Sequence, residues 1–358
     1  MRKRFLTTFV VVVTLLSGGS SAVLAAEAVN EGWTLARTVD GQPDLQGVWA
    51  NNNVTPLERP PEWEGKERLT DRELEALKVA ASQASNGGAD ALFGDQLVLA
   101  AIARAKAESY DPTTGNYNQF WVADRDFSNR TSLVVDPPDG RIPPFTEAAS
   151  ERLCKQMKHA LGHPADTWTD RPLSERCITY GVPMIHAGYN SYLQIFQSAD
   201  YVVIRMEMIH DARVIPLDSR PHLDESIRQW HGDSRGHWEG DTLVIETRNY
   251  SPKSDFQGAR QNLHVTERLT RVGPNTLNYD ITVDDPSTWT KPWTASIPFM
   301  GTTDAIFEYA CHEGNYGMEG ILAGHRALEA AGREIVSDPA GPQYQNLVCE
   351  DLPSASGG

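Results

Sequence analysis

"YLQIFQSADYVVIRMEMIH", Tyr192 to His210, is the stretch on which the fold turns. Two runs of β-branched, aromatic and long apolar residues, 192–197 and 201–210, flank Ser198-Ala199-Asp200. That composition around a short polar break predicts two strands joined by a tight turn. In the second run the two-residue period puts Val202, Ile204, Met206, Met208 and His210 on one face, while Arg205 and Glu207 point the other way. His210 then ends an otherwise apolar face.

The same texture continues downstream. "RVIPL", "TLVIETRNY", "LHVTERLTRV", "TLNYDITVDD", "WTASIPF" and "IFEYA" follow at short intervals, with Gly273-Pro274-Asn275 as a hairpin turn. About eight consecutive strands imply an antiparallel meander, whose exposed edges are best removed by closure. The expected fold is mainly β, an antiparallel meander closing into a calycin-like barrel with a helical N-terminal elaboration.

Upstream, residues 30–65 are rich in Pro and Asn around one short strand at Gly47-Val48-Trp49. "LTDRELEALKVAASQAS" reads as a helix, because Thr70 with Glu73 three residues on makes a capping box. "ALFGDQLVLAAIARAKAES" is a second helix and "TEAASERLCKQMKHAL" a third, starting at Thr146, after a strand in "RTSLVVDPPDGRIPPF". "NYGMEGILAGHRALEAAG" forms a last helix. The division expected is 26–165 helical and irregular, 166–310 the barrel, and 311–358 a helix and tail packed on it.

The first 25 residues read as a secretory signal peptide: Arg2, Lys3 and Arg4, an apolar run, then Val23-Leu24-Ala25. Ser17-Gly18-Gly19-Ser20 breaks the run too early for a membrane span. The expected location is periplasmic or secreted, with no stable membrane insertion after cleavage. Losing those three cations takes the net charge from −16 to −19. Without a Lys/Arg cluster elsewhere, nucleic acid is not an expected partner. Cys154, Cys177, Cys311 and Cys349 are even in number, so disulfides are expected, in any of three connectivities. Nearest-neighbour pairing would close two moderate loops, worth roughly 3 kcal/mol each.

Chemistry concentrates in "WHGDSRGHWEGDTLVIET", Trp230 to Thr247. Alternation aligns His231, Asp233, Arg235 and His237 on one face, with Gly232 and Gly236 leaving room opposite. A His–Asp pair there suits proton transfer. A solvated hairpin turning at Glu239-Gly240-Asp241, with Trp238 packed inward, accounts for the same residues. His210 with Asp211 and Arg213 is placed at the barrel rim, and "EYACHEGNYG" adds Glu308, Tyr309, His312 and Glu313 after another strand. A polar turn with a hydrogen-bonded histidine is the plainer alternative. Tyr189, Tyr192, Trp230, Trp289 and Trp293, with Asn190, are candidates for an apolar cavity wall or simply for the core. No cofactor is expected. A divalent metal would need ligands converging from separate strands, since no H-x-x-x-H or H-E-x-x-H spacing occurs.

Two fragments resemble lipocalins and their calycin relatives: Gly47-Val48-Trp49 is similar to their G-x-W motif, and Ala199-Asp200-Tyr201 to part of T-D-Y. Their wide separation in this chain implies a large helical insertion. The mature chain also resembles an uncharacterised family of exported bacterial proteins. The phrases "DLQGVW", "RTSLVVDPPDGRIPP", "GDSRGHWEGDTLVIET" and "YACHEGNYGMEGILAG" carry that resemblance. It implies export and no mechanism.

The function expected is an exported enzyme acting on an apolar or aromatic small molecule by general acid–base chemistry, a lyase, dehydratase or hydrolase. His210, Asp211, His231, Asp233, His237, His312 and Glu313 are its candidate acids, bases and orienting groups. Arg213, Arg235, Tyr189, Asn190 and Tyr309 are its candidate substrate contacts. A lipocalin-like carrier without turnover is the alternative, and a structural envelope protein a third. The enzyme reading requires His210 and at least one of His231, His237 and His312 to face a common cavity.

Overall fold

The computed structural model describes residues 32–85, 90–106, 125–333 and 347–349. The signal-peptide stretch lies outside them. Ten strands make one antiparallel sheet: β1 (Gly47–Ala50), β2 (Val134–Asp136), β3 (Tyr192–Gln197), β4 (Tyr201–Met206), β5 (Ala212–Pro216), β6 (Asp233–Glu239), β7 (Thr242–Arg248), β8 (His264–Gly273), β9 (Thr276–Asp284) and β10 (Trp293–Thr302). Their order is β5-β4-β3-β1-β10-β9-β8-β7-β6, with β2 paired to β10. The expected meander holds from β3 to β5 and from β6 to β10. Between the two runs sits β1, drawn from the region read as helical and irregular.

The sheet is not closed into a barrel by pairing: β5 and β6 are its two edges. They meet through side chains instead. A Cβ at Gly236 of β6 would lie 2.8 Å from Leu217 Cδ2 and 3.0 Å from Ile215 Cγ2. The space this glycine leaves is therefore filled by the residues of and after β5, not kept for a ligand.

Alternation positions the core. Val265, Glu267 and Leu269 of β8, Leu277, Tyr279, Ile281 and Val283 of β9, and Trp293, Ala295, Ile297 and Phe299 of β10 all point into one buried cluster. One member is a carboxylate. Glu267, 0 % exposed, takes a two-pronged bond from Arg213 of β5, Nη1–Oε2 2.6 Å and Nη2–Oε1 2.8 Å, and a further bond from the Tyr279 hydroxyl. Arg213 thus sits on an edge strand and reaches across the interior to β8, away from the rim expected for it. Burial pulls the Arg213 proton affinity down, but the facing Glu267 carboxylate more than reverses this, so the guanidinium stays charged.

Four helices lie among the described residues: α1 (Asp71–Ala84), α2 (Gln96–Ala103), α3 (Glu147–Gly162) and α4 (Tyr316–Ala330). The capping box forms as read: Thr70 Oγ1 accepts from Glu73 N–H, and Glu73 Oε2 from Thr70 N–H. Thr146 likewise caps α3. Ala81 of α1 and Leu97, Val98 and Ala101 of α2 form a second small core around Val54. The α2 helix stops at Arg104 in the left-handed region (φ 53°), well short of the stretch read as helical. The α4 helix buries none of its residues, against the expectation that it packs on the sheet. "IFEYA" is no strand, and Phe307 stands 70 % exposed.

The disulfides are Cys177–Cys311 and Cys154–Cys349. The nearest-neighbour pairing is overturned. Both bridges tie the C-terminal segment back to the chain before β3, Cys349 to α3 itself and Cys311 to the stretch after it, and one loop is nested inside the other.

Candidate functional site

The strand read as running to His210 ends at Met206. Ile209 (φ 56°) and His210 (φ 44°) adopt left-handed backbone in a 3-10 turn, which ends the strand's alternation. His210 is exposed, and its Nδ1–H donates to the Tyr309 carbonyl at 2.9 Å. Tyr309 thus enters the geometry through its backbone. His312 and Glu313 are exposed in the turn before α4.

The stretch from Trp230 to Thr247 folds as a hairpin. β6 and β7 pair from Asp233↔Arg248 to Glu239↔Thr242 around Gly240. His237 is exposed beside Glu239 at 3.2 Å, and Trp238 packs against the core. Asp233 is buried and fully engaged: Oδ2 accepts from His222 Nδ1 at 3.0 Å and Leu223 N–H at 2.9 Å, Oδ1 from Arg235 Nη1 at 2.6 Å. The pair Asp233–Arg235 therefore anchors the 217–232 loop onto β6.

One predicted pair does converge. His231 Nε2 lies 3.1 Å from Asp211 Oδ2 and 2.6 Å from Thr179 Oγ1, with Thr179 Oγ1 also 2.9 Å from Asp211 Oδ2. Thr179 Oγ1 additionally accepts from Gly181 N–H at 2.9 Å. A nucleophilic relay needs the carboxylate and the hydroxyl on opposite ring nitrogens. Here both meet Nε2. The cluster is a hydrogen-bond clamp in which Nε2–H donates, and it joins the start of β5 to the approach to β6.

A cleft of about 590 Å³ lies at the same end of the sheet, where β4, β7 and β9 finish and β3, β8 and β10 begin. Its wall combines Phe93, Phe145, Tyr180, Tyr189, Phe256 and Trp289 with the polar Asp95, His186 and Asp255. A neighbouring cleft of about 310 Å³ shares Glu58 and Asp95 with it. Of the predicted site residues, Tyr189 lines the larger cleft; His210, His231, His237 and His312 line neither. Neither of these two clefts brings His210 together with a second of these histidines. The reason is local: left-handed backbone turns His210 outward, and the Asp211 clamp holds His231.

The histidine of the cleft is His186, in the irregular segment before β3. Burial brings its pKa down from 6.5 to about 4, the Asn190 carbonyl opposing this weakly, so the ring is neutral at neutral pH. Nε2 lies 3.5 Å from that carbonyl, at the outer limit of a hydrogen bond, and the neutral ring offers one bare nitrogen. Asn190, expected as a substrate contact, orients the imidazole through its backbone. Tyr180 meets the ring edge-on at 4.6 Å. Tyr180 is 49 % exposed overall, but the desolvation of its packed part, then Tyr309, pushes the phenol pKa up and keeps it a donor. Tyr189 packs on Phe93 at 5.4 Å.

Sequence reasoning missed His186, Tyr180 and Asp95. No periodicity marks them, since "GVPMIHAGYN" is loop, and their common cleft depends on packing against Phe93 and Trp289, far away in the chain. The available signal was weak: one histidine in a Gly- and Pro-bounded apolar run. Among the described residues no group of three or more His, Cys, Asp or Glu is placed to hold a metal ion. No protein-family model and no curated protein matches the chain.

Proposed function

We propose that this chain is an exported protein that takes an apolar or aromatic small molecule into the cleft bounded by Phe93, Tyr180, Tyr189 and Trp289, and acts on it by general acid–base chemistry. The observation that carries the reading is His186, a neutral imidazole with one bare nitrogen in the wall of an aromatic cleft, in contact with a protonated phenol. The bare imidazole nitrogen accepts a proton from the bound molecule and the Tyr180 hydroxyl returns one; transfer of a proton from the imidazolium to the phenolate then resets the pair, as a lyase, dehydratase or hydrolase needs. The working residues are thus moved from His210 and His231 to His186 and Tyr180.

Two bridges and the signal-like N-terminus support an oxidising, exported location. No described helix is long and apolar enough to cross a membrane. Side-chain contact between β5 and β6 supports a calycin-like, nearly closed sheet. Its interior is packed by Trp293, Phe299 and the Arg213–Glu267 pair, so the ligand site lies at the sheet's end.

Incubating the purified protein with a metabolite extract tests the reading. Consumption of a compound by the native protein, lost in His186→Ala, is the expected result; consumption that survives this change removes His186 as acid or base. The carrier reading is favoured by the predominance of aromatic and aliphatic wall over polar groups. Retention of a compound one-to-one, without consumption, would select it.

A further inference from the structure

We infer that the ligand of the larger cleft is an organic cation, a protonated arylalkylamine or quaternary ammonium compound, with Asp95 as its counter-charge. This rests on the cleft being the ligand site, as proposed above. The wall of that cleft contains three carboxylates, Glu58, Asp95 and Asp255, and no lysine or arginine. Outside the described residues the sequence carries no Lys or Arg beyond Arg2, Lys3 and Arg4, so no other undescribed segment can supply a cation. Arg59 and Arg141 line the smaller cleft alone.

The three carboxylates are not equivalent. Glu58 Oε1 is bonded by Ile142 N–H, and Asp255 is bonded by Gly258 N–H and lies 3.5 Å from Arg260. Asp95 stands in the N-cap position of α2 yet makes no side-chain cap bond. It has no ion-pair partner among the described residues, lines both clefts, and is buried enough that desolvation raises its pKa against the Leu57 backbone bond. A carboxylate held in that setting without an ion pair is costly, and an incoming ammonium group relieves the cost.

Two further features of the wall fit the same ligand. Aromatic faces attract ammonium groups through their quadrupole, and six aromatic side chains surround this cleft. Trp289, 2 % exposed, has an indole N–H with no acceptor among the described residues, so an acceptor oxygen on the ligand would add a bond.

The test is calorimetric titration of the oxidised protein with phenethylammonium, 2-phenylethanol and 3-phenylpropanoate, three probes of one shape and different charge. Phenethylammonium should bind at least ~10-fold tighter than either of the others. Asp95→Asn should weaken it by ~10-fold and leave the alcohol within about twofold, with a melting temperature that is not lowered showing that the fold is kept. Asp95→Ser serves if the asparagine variant does not fold. Equal binding of the alcohol or the carboxylate, or an ammonium affinity indifferent to Asp95, overturns the charge inference and leaves the cleft reading standing. Binding of none of the three overturns both.

Discussion

The most demanding prediction concerns Glu267, a carboxylate at a core-facing strand position. Glu267→Gln leaves the shape almost unchanged but removes the charge that Arg213 faces. Arg213 is 7 % exposed and Glu267 0 % exposed, so neither can turn to water. Breaking one side of such a pair strands an uncompensated charge and costs about 3–5 kcal/mol. The Tyr279 hydroxyl, which donates to Glu267 Oε1, keeps an acceptor in the amide and adds little to the loss. Removing the whole network is different. Arg213→Met with Glu267→Leu and Tyr279→Phe deletes both charges and the donor together, and should be neutral or stabilising by up to about 4 kcal/mol. Equilibrium unfolding in urea, read by tryptophan fluorescence, measures both. A Glu267→Gln loss under about 1 kcal/mol, or a triple variant as unstable as the single, would refute the reasoning. The first result would mean that water reaches the pair; the second would mean that the pair itself contributes net stability.

Three other outcomes follow. In the chain-entropy model the inner bridge, Cys177–Cys311, closes a 134-residue separation and is worth about 5 kcal/mol; with it made, Cys154–Cys349 closes only the flanking segments and is worth about 4. The outer bridge left alone closes 195 residues and keeps about 5 of the roughly 9 kcal/mol, so paired Cys→Ser variants of either bridge should each lose about 4 kcal/mol on unfolding in urea. Gly232→Ala should cost more than Gly236→Ala: at Gly232 (φ +69°) the new Cβ meets the Arg248 carbonyl at 2.6 Å, whereas at Gly236 it meets side-chain ends that can shift for about 1–3 kcal/mol. Thermal melts rank the two. Between pH 6.5 and about 4 the unfolded chain binds a proton that folded His186 refuses, so stability should fall as pH is lowered, by up to ~3 kcal/mol. The difference between native and His186→Gln unfolding curves should vary over that window and be flat above it.

The sequence by itself determined what depends on near neighbours. The hairpin at Gly273-Pro274-Asn275, the capping box of Thr70 and Glu73, and the pairing of β3 with β4 each follow from a few adjacent residues. The alternation in "LHVTERLTRV" even carried a warning, since it places Glu267 on the same face as Val265 and Leu269. What it could not name was the partner, because Arg213 lies 54 residues away on the edge strand β5. Only the tertiary structure decided the rest. Nothing local tells β1 to insert between β3 and β10, nor which cysteines meet, since four thiols at these spacings allow three pairings. The candidate site belongs to the same class. His231 and His237 were conspicuous because they crowd one stretch of chain, yet short-range spacing does not select for a shared cleft. Asp95, His186 and Trp289 are far apart in the chain and meet where strand ends and loops pack together, a contact set by the burial of side chains that no local pattern encodes.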